Sequence, residues 1–165
     1  MKPIITTSRL ELRKPEQYMS SDIYELTIKN YNDFNLFLPW VRNISSEKDT
    51  KNMIKAYKKL FLNNQEYRFY IFENKNHNLI GSITLRNIDA LSKQAELGFW
   101  LDKDHVGKGY IVESFNAIIK ELDAIETIIA NTSIGNCRCI RTLQRLGFDK
   151  LEEHTTYISF SMRVI

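Results

Sequence analysis

The sequence predicts an α+β fold with a mixed β-sheet, and two kinds of periodicity carry this prediction. Some segments alternate apolar and polar residues with period two, as strands do, whereas others repeat apolar residues at helical spacing. The order along the chain is one strand, two helices, three strands, then helix, strand, helix and closing strands. A length of 165 residues suits one domain, which we expect to span residues 1–165.

The amino-terminal third predicts one strand followed by two helices. In the segment 8–15, Leu10 and Leu12 alternate with charged residues, and a proline closes the strand. Serine and aspartate at the start of 20–30 predict a helix there, because their side chains cap free backbone amides. A second helix is predicted over 45–62, with apolar residues on one face and a solvated set of lysines elsewhere.

The middle of the chain predicts three strands. The segment 66–74 is rich in aromatic residues, and 79–88 and 95–102 alternate apolar with polar residues. Turn-forming residues separate the first two strands, which we therefore expect to form an antiparallel hairpin. Gly98 lies inside the third strand and predicts either a β-bulge or a place where something else approaches the backbone closely.

The last third predicts two helices and two strands. Apolar residues over 111–122 follow helical spacing, and 127–134 is a strand rich in β-branched residues. Asn136 can cap a short helix that Gly147 ends, and 157–165 alternates as a final strand.

Composition and charge exclude several classes of protein. The net charge of +3 is small for a nucleic-acid-binding protein, although it suits a small anionic ligand. No apolar run reaches the length of a membrane span and no leader-like segment opens the chain, so we expect a cytoplasmic protein. Cys137 and Cys139 are two apart in a predicted helix, which disfavours a mutual disulfide, and their spacing matches no zinc motif.

The sequence Gly107-Lys108-Gly109 joins the third middle strand to a helix. Two glycines let a ligand approach the backbone, and the first amides of a helix point outward toward an anion. This arrangement predicts a cradle for a pyrophosphate, although it matches neither the Walker A loop nor the dinucleotide-binding fingerprint. A plain turn with an exposed lysine is the alternative.

Residues around this loop resemble a known family. AELGFWLDKDHVGKGYIVES (95–114) resembles the acetyl-CoA-binding motif of the GNAT superfamily of N-acetyltransferases, and GNCRCIRTLQRLGF (135–148) resembles its second conserved segment. TSRLELRKP (7–15) and the triplet 38–40 are similar to the RimJ/RimL branch, which acetylates the N-terminal amines of ribosomal proteins. The resemblance covers nearly the whole chain.

The resemblance implies the GNAT-like acyl-CoA N-acyltransferase fold, an α/β three-layer arrangement. Its mixed, mostly antiparallel sheet has six to seven strands, flanked by about four helices. It also implies acetyl-CoA as cosubstrate, no metal, and direct attack of an amine on the thioester in a ternary complex. The implied acetyl-CoA-binding residues are Phe99, Trp100, Leu101, His105, Val106, Gly107, Lys108, Gly109, Tyr110, Ile111, Asn136 and Cys139, and Lys108, Arg138 or Arg141 could screen the remaining phosphate charge.

Four residues are candidates for catalysis. Glu96 is the candidate general base, because its strand position is expected to face the cleft and a water could relay the proton. Asn131 and Ser133 on the adjoining strand could hold that water, and Cys139 occupies the position of the family's proton-donating serine. An edge-strand salt bridge for Glu96 and a purely structural role for Cys139 remain the alternatives.

Another departure from the family pattern is Asp104, which stands where the family has glutamine or arginine. An acid beside a bound pyrophosphate is expected to weaken binding by repulsion.

The acceptor is less well defined by the sequence. Tyr18 and Trp40 are candidate walls of the acceptor cleft, with burial in the core as the alternative. Three functions stay open: acetylation of protein N-termini, acetylation of a small amine (a polyamine, amino sugar, amino-acid derivative or antibiotic), and acetyl-CoA binding without turnover. We expect a monomer or homodimer with no specific nucleic-acid partner, and the last strand could pair across a dimer.

Overall fold

The computed structural model describes residues 1–164 and contains eight strands in that part of the chain. The strands are β1 (Ile4–Thr6), β2 (Leu10–Arg13), β3 (Tyr67–Glu73), β4 (Leu79–Asp89), β5 (Gln94–Leu101), β6 (Thr127–Ser133), β7 (Asp149–Glu153) and β8 (Tyr157–Arg163). The α-helices are α1 (Ser20–Lys29), α2 (Tyr31–Phe37), α3 (Glu47–Leu62), α4 (Tyr110–Ile119) and α5 (Cys137–Arg145). Three 3₁₀ turns cover Gln17–Met19, Pro39–Asn43 and Lys103–His105.

All these strands form one mixed sheet in the order β1-β2-β3-β4-β5-β6-β8-β7. β5 and β6 pair in parallel, and the other neighbouring strands pair antiparallel. The crossover between the parallel strands contains α4, as parallel pairing requires a long connection. The predicted α+β fold with a mixed, mostly antiparallel sheet is confirmed.

Helices cover both faces of the sheet. The larger hydrophobic core packs chiefly between the sheet and α4 and α5, where Phe115, Ile118 and Leu143 are buried. A smaller core lies between the other face and α1, α2 and α3, and Trp100 of β5 belongs to it. Consecutive residues of β5 therefore contribute to opposite cores, as the alternation in the sequence predicts.

Local sequence explains how α3 begins and how α5 ends, whereas α1 begins at Ser20 with Met19 as its N-cap and no capping side chain, so the expected serine or aspartate cap is wrong. Ser46 is the N-cap of α3 and forms a capping box with Asp49. In this motif each of the two side chains accepts a hydrogen bond from the backbone amide of the other residue. The predicted lysine face of α3 is largely exposed, whereas Ile54 and Phe61 are buried. Gly147 follows α5 with φ 86°, a left-handed conformation that favours glycine and ends the helix.

Three elements were missed, so the expected counts of strands and helices were too low. β1 has only three residues, and every residue of β7 is exposed, so neither shows a recognisable alternation. α2 has seven residues with asparagine at two positions, which gives it low intrinsic helix propensity. Tertiary packing of Phe34 into the smaller core stabilises α2 instead.

Two further expectations are corrected. β8 lies between β6 and β7 and is paired on both sides, so it is not an edge strand that could pair across a dimer. The last residue of the predicted strand, Ile165, lies outside the described residues. Pairing of β4 with β5 is regular across Gly98 and shifts only between Arg86 and Asp89, so there is no bulge at Gly98.

The helices of residues 1–164 include none that is long and apolar enough to cross a membrane.

Candidate active site

A cleft of about 630 Å³ lies where β5, α2, α4 and α5 meet. It is lined by the end of β5, the loop that leads into α4, residues of α2, and the first turns of α4 and α5. Its volume falls in the range of sites that bury most of a drug-sized ligand. The elements that the sequence singled out for acetyl-CoA binding therefore meet at one cavity.

The parallel strands part beside this cleft. β5 pairs with β6 only from Gln94 to Glu96, while β5 remains paired with β4 as far as Leu101 and β6 remains paired with β8 as far as Ser133. Backbone groups on the facing edges of the two strands are thus free of a strand partner and need one. An extended ligand can hydrogen-bond along such an edge as an added strand does.

Gly98 lies in this parted section of β5. A Cβ added at Gly98 would meet no atom within 4 Å, so the backbone there is open to approach. The second alternative raised by the sequence, close approach by something outside the strand, fits this opening.

The loop before α4 has the geometry of an anion cradle. Gly107 and Gly109 both have φ 79°, and Gly109 is the N-cap of α4. Residues with side chains rarely adopt this left-handed conformation, so the loop requires glycine at both positions. The first amides of α4 lack carbonyl partners inside the helix and, with the helix dipole, favour an anion at this end.

Three arginines of α5 extend the positive charge of the site. Arg138, Arg141 and Arg145 line the cleft at helical spacing, so they lie along one side of α5. In the described part of the chain, none of the three forms an ion pair with an acidic residue. Their charges are available to a ligand with several phosphates.

The first turn of α5 places Cys139 in the same cleft. The side chain of Asn136 accepts a hydrogen bond from the Cys139 amide at 3.2 Å, which confirms the predicted N-cap. Burial raises the pKa of the Cys139 thiol, and a hydrogen bond with Thr132 lowers it in part. The thiol is therefore protonated at neutral pH and can donate a weak hydrogen bond. Both cysteines are free.

A buried carboxylate connects the loop to α1. Asp102 follows β5, is 1% exposed, and accepts hydrogen bonds from Lys29 Nζ and Asn30 Nδ2, each at 2.9 Å. Its Oδ2 also lies 2.8 Å from His105 Nδ1. The amide oxygen of Asn30 in turn accepts from the Lys103 backbone at 3.0 Å. This Asp102 network fixes the start of the loop before α4 against the C-terminal end of α1.

Lys29 of the same network also pairs with Asp104, and its one positive charge is shared between the two carboxylates. Lys29 Nζ lies 2.6 Å from Asp104 Oδ2 as well as 2.9 Å from Asp102. Hydrogen bonds with Asp104 and Asp102 raise the pKa of Lys29, so the lysine stays charged. The expected repulsion between Asp104 and a bound pyrophosphate is therefore reduced by an ion pair that the sequence did not reveal.

The side chain of His105 contacts two acidic residues. Its Nδ1 contacts Asp102, and its Nε2 lies 3.5 Å from Glu73 Oε2. The Tyr110 hydroxyl donates to the other oxygen of Glu73 at 2.7 Å. His105 thus joins the loop to β3 and does not line the cleft.

The structure brings together most of the predicted acetyl-CoA-binding residues. All of them line the cleft except His105 and Lys108. Lys108 contributes its carbonyl oxygen to Arg9, which donates from Nη1 at 3.0 Å.

Three of the four predicted catalytic residues do not line the cleft. Glu96 accepts hydrogen bonds from Arg86 at 2.6 Å and Asn87 at 2.8 Å, so it forms the salt bridge that was its alternative, although β5 lies between β4 and β6 and is not an edge strand. Asn131 Oδ1 accepts from the Ser159 hydroxyl at 2.7 Å. The register pairs Glu96 with Ile129, so Glu96, Asn131 and Ser133 do share one face of the sheet, beside the opening. Their catalytic roles stay predictions.

The two predicted acceptor residues lie away from the main cleft. Tyr18 is 62% exposed and accepts a hydrogen bond from Arg13 at 3.4 Å. Trp40 lines a smaller, separate cavity and packs against Trp100, with ring centroids 6.1 Å apart. Trp40 therefore supports a residue of the cleft and does not line it, and both acceptor-binding roles stay predictions.

The wall that sequence reasoning missed belongs to α2. Asp33, Phe34, Leu36, Phe37 and Leu38 line the cleft, together with Asn30 at the N-cap of α2. Because α2 itself was not predicted, its side chains could not be assigned to a face. The sequence pattern of several large apolar residues around one aspartate was the available signal.

A mixed sheet whose parallel strands part beside a glycine loop and a helix N-terminus is the GNAT-like acyl-CoA N-acyltransferase fold that the sequence resemblance implied. The chain belongs to the GNAT family, because the family model described as an acetyltransferase (GNAT) domain matches residues 9–149.

Curated relatives are N-acetyltransferases. The chain is 33% identical over 116 residues to the ribosomal-protein-serine acetyltransferase of Escherichia coli K12, a match that covers 70% of this chain and 64% of that protein. It is 29% identical over 158 residues to the N-acetyltransferase p20 of Bacillus licheniformis, which covers 87% and 81% of the two chains. The chain thus spans slightly less than two thirds of the E. coli relative.

Solved structures share the fold at low sequence identity. RimL in complex with coenzyme A superposes with a TM-score of 0.90 at 18% identity, over 97% of both chains. The microcin C7 self-immunity acetyltransferase MccE, in complex with acetyl-CoA and AMP, has a TM-score of 0.87 at 20% identity over 95% of this chain and 93% of that one.

Proposed function

We propose that this protein transfers the acetyl group of acetyl-CoA to the N-terminal α-amine of a protein, by direct attack in a ternary complex. The observation that carries the proposal is the single cleft that joins an anion cradle, a free strand edge and the wall formed by α2. Similarity to a ribosomal-protein-serine acetyltransferase, and to the fold of RimL, supports a protein N-terminus as acceptor.

Each part of acetyl-CoA has a matching part of the cleft. The amides that follow Gly107 and Gly109 bind the pyrophosphate, and the α5 arginines bind the remaining phosphate. The free edge of β5 around Leu97–Phe99 and the Asn136 side chain bind the amides of the pantetheine arm. This arrangement leads the thioester toward the opening between β5 and β6.

The reaction requires a neutral amine. Its nitrogen lone pair forms a bond to the thioester carbon, the carbon–sulfur bond breaks, and coenzyme A leaves as a thiolate that takes up a proton. An α-amine has a pKa of about 8, so roughly a tenth is neutral at pH 7, whereas a lysine with pKa about 10.4 is almost entirely charged. An N-terminal acceptor therefore demands little of a general base.

Glu96 acts as that base through a water in this proposal. Both of its oxygens already accept one hydrogen bond, from Arg86 and Asn87, and each retains a further lone pair for a water. Asn131 and Ser133 lie on the same face of the sheet and position the water.

The experiment is a calorimetric titration with acetyl-CoA, followed by a thiol-release assay over N-terminal peptides, polyamines and amino sugars. The proposal expects binding of acetyl-CoA and release of coenzyme A with peptides that carry a free α-amine. Binding without transfer to any amine would instead support a non-catalytic acetyl-CoA-binding protein.

Replacement of Arg141 by alanine is expected to weaken acetyl-CoA binding by at least about tenfold, because a charge-assisted hydrogen bond to a phosphate contributes about 1.5–3 kcal/mol. Titration of the variant with coenzyme A and with 3′-dephospho-coenzyme A measures the effect. The loss should be smaller for the dephosphorylated ligand. Lys55→Ala, an equal change of charge on the exposed side of α3, serves as the control. Equal losses of affinity for both ligands would show that Arg141 does not bind the 3′-phosphate.

Replacement of Cys139 by alanine is expected to lower kcat about fivefold, the size of one lost neutral hydrogen bond to the departing sulfur. Cys139→Ser should retain activity, because a hydroxyl donates from the same position. Steady-state kinetics with acetyl-CoA and a peptide measure both variants, and thermal melts confirm that they fold. An alanine variant as active as the parent would leave Cys139 with a structural role only.

A small-molecule acceptor is the second candidate function. The fold neighbour MccE was solved with acetyl-CoA and AMP, so this fold also accommodates a small molecule besides acetyl-CoA. Faster release of coenzyme A with a polyamine or amino sugar than with any peptide would favour it.

A further inference from the structure

The α5 and α2 walls of the cleft carry opposite charges, and the loop between β5 and α4 adds the cation Lys103. Arg138, Arg141 and Arg145 line it along α5, whereas Asp33 on α2 is the one acidic residue among its lining residues in 1–164. In the same part of the chain, no Lys, Arg or His side chain forms an ion pair with Asp33. Phosphates are attracted to the α5 wall and a cationic acceptor to the α2 wall.

The α2 wall is otherwise apolar and open to solvent. Leu36 is 68% exposed and Phe37 is 39% exposed, although both are large apolar side chains. Adjacent exposed apolar residues in a cleft mark a surface that binds an apolar group. Asn30, the polar residue next to them, already uses its amide to bind Asp102 and the Lys103 backbone.

We infer that Asp33 binds the ammonium group of the incoming acceptor and that Leu36 and Phe37 contact an apolar side chain near the N-terminus of an acceptor peptide. The inference rests on the proposed function and names the chemistry of its acceptor. A single carboxylate matches one ammonium group, whereas a polyamine carries several. The hydroxyl groups of an amino sugar would find few free polar partners on this wall.

Asp33 acts on binding and not on the bond-forming step. The ammonium form predominates in solution, so a carboxylate at the mouth of the cleft concentrates the acceptor before it loses its proton. Its removal should therefore raise the KM for the acceptor and leave kcat nearly unchanged. The ammonium attraction should also weaken as salt screens it.

The test compares Asp33→Asn with Glu25→Gln, a matched loss of one negative charge at an exposed position of α1 outside the cleft. With an N-terminal peptide, Asp33→Asn should raise the acceptor KM about tenfold, with unchanged KM for acetyl-CoA and an unchanged melting temperature. Added salt should raise the acceptor KM of the parent and of Glu25→Gln more than that of Asp33→Asn.

A second comparison uses peptides with leucine, serine or aspartate directly after the first residue. The parent should prefer leucine, and Leu36→Ser together with Phe37→Ser should remove that preference. Transfer to peptides with an acceptor KM unaffected by Asp33→Asn, or without a preference for the leucine peptide, would overturn this inference alone. Spermidine preferred to every peptide would overturn the proposed N-terminal acceptor as well. Absence of transfer to every amine would overturn the proposed function and this inference with it.

Discussion

Replacement of Gly109 by valine should weaken acetyl-CoA binding by at least about 100-fold. A residue with a side chain at φ 79° costs about 1–2 kcal/mol, and a β-branched residue costs more. A 100-fold loss of affinity corresponds to about 2.8 kcal/mol, since each 1.4 kcal/mol is a factor of ten. Strain of this size that moves the loop amides away from the phosphates would produce the expected loss. Calorimetric titration with acetyl-CoA measures the loss.

Gly147→Val is the control for this experiment. Gly147 has φ 86° and space for a side chain, as Gly109 does, but it follows α5 and does not line the cleft. Both variants should melt at lower temperature than the parent, and only Gly109→Val should lose affinity for acetyl-CoA. Equal affinities in the two variants would show that the loop before α4 does not hold the pyrophosphate.

Replacement of Asp102 by alanine should lower the free energy of unfolding by about 1–3 kcal/mol, the range for leaving a buried hydrogen-bonding group without its partner, because Lys29 is 42% exposed and keeps its ion pair with Asp104. The variant would leave Asn30 and His105 without their buried partner. Asp104→Ala is the matched control, because it also removes a Lys29 ion pair but at a side chain that is 61% exposed. Its effect should stay within about 1 kcal/mol.

The pH dependence of stability should also show the contribution of the Asp102 carboxylate. Burial alone would raise the pKa of Asp102, but hydrogen bonds with Lys29, Asn30 and His105 outweigh it and hold the pKa below its ordinary value. A carboxylate whose pKa is lower in the folded protein stabilises the fold at pH values above its unfolded pKa of about 3.9. That contribution is lost as the pH falls below this value toward the pKa of the folded state. Urea denaturation between pH 3 and 7 should therefore show a steeper loss for the parent than for Asp102→Ala. Equal destabilisation by Asp102→Ala and Asp104→Ala would contradict a buried network.

Local patterns predicted the elements whose side chains alternate strictly between core and solvent. The helical spacing of Ile111, Phe115 and Ile118 and the capping residue Ser46 are visible in the sequence because they act within one element. β7 and α2 were missed for the opposite reason. Their own residues show little periodicity, and they form because β8 and the smaller core provide the partners.

Some features of the candidate site were likewise predictable from the sequence, and others were not. Gly107 and Gly109 were predictable, because the pair of glycines is visible in the sequence and the left-handed backbone that both adopt favours glycine. The ion pair between Lys29 and Asp104 joins residues far apart along the chain, and so does the placement of Asp33 opposite the α5 arginines. Such contacts depend on how helices pack on the sheet, and no single segment encodes them.

One reaction decides whether this protein acetylates N-terminal amines. The protein is incubated with acetyl-CoA and a peptide that carries both a free α-amine and an internal lysine, and the product is sequenced by tandem mass spectrometry. We expect one acetyl group, on the α-amine, at a rate that depends on enzyme and is lost in Gly109→Val. Acetylation of the lysine alone, or no acetylated peptide from a protein that binds acetyl-CoA, would contradict the proposed function.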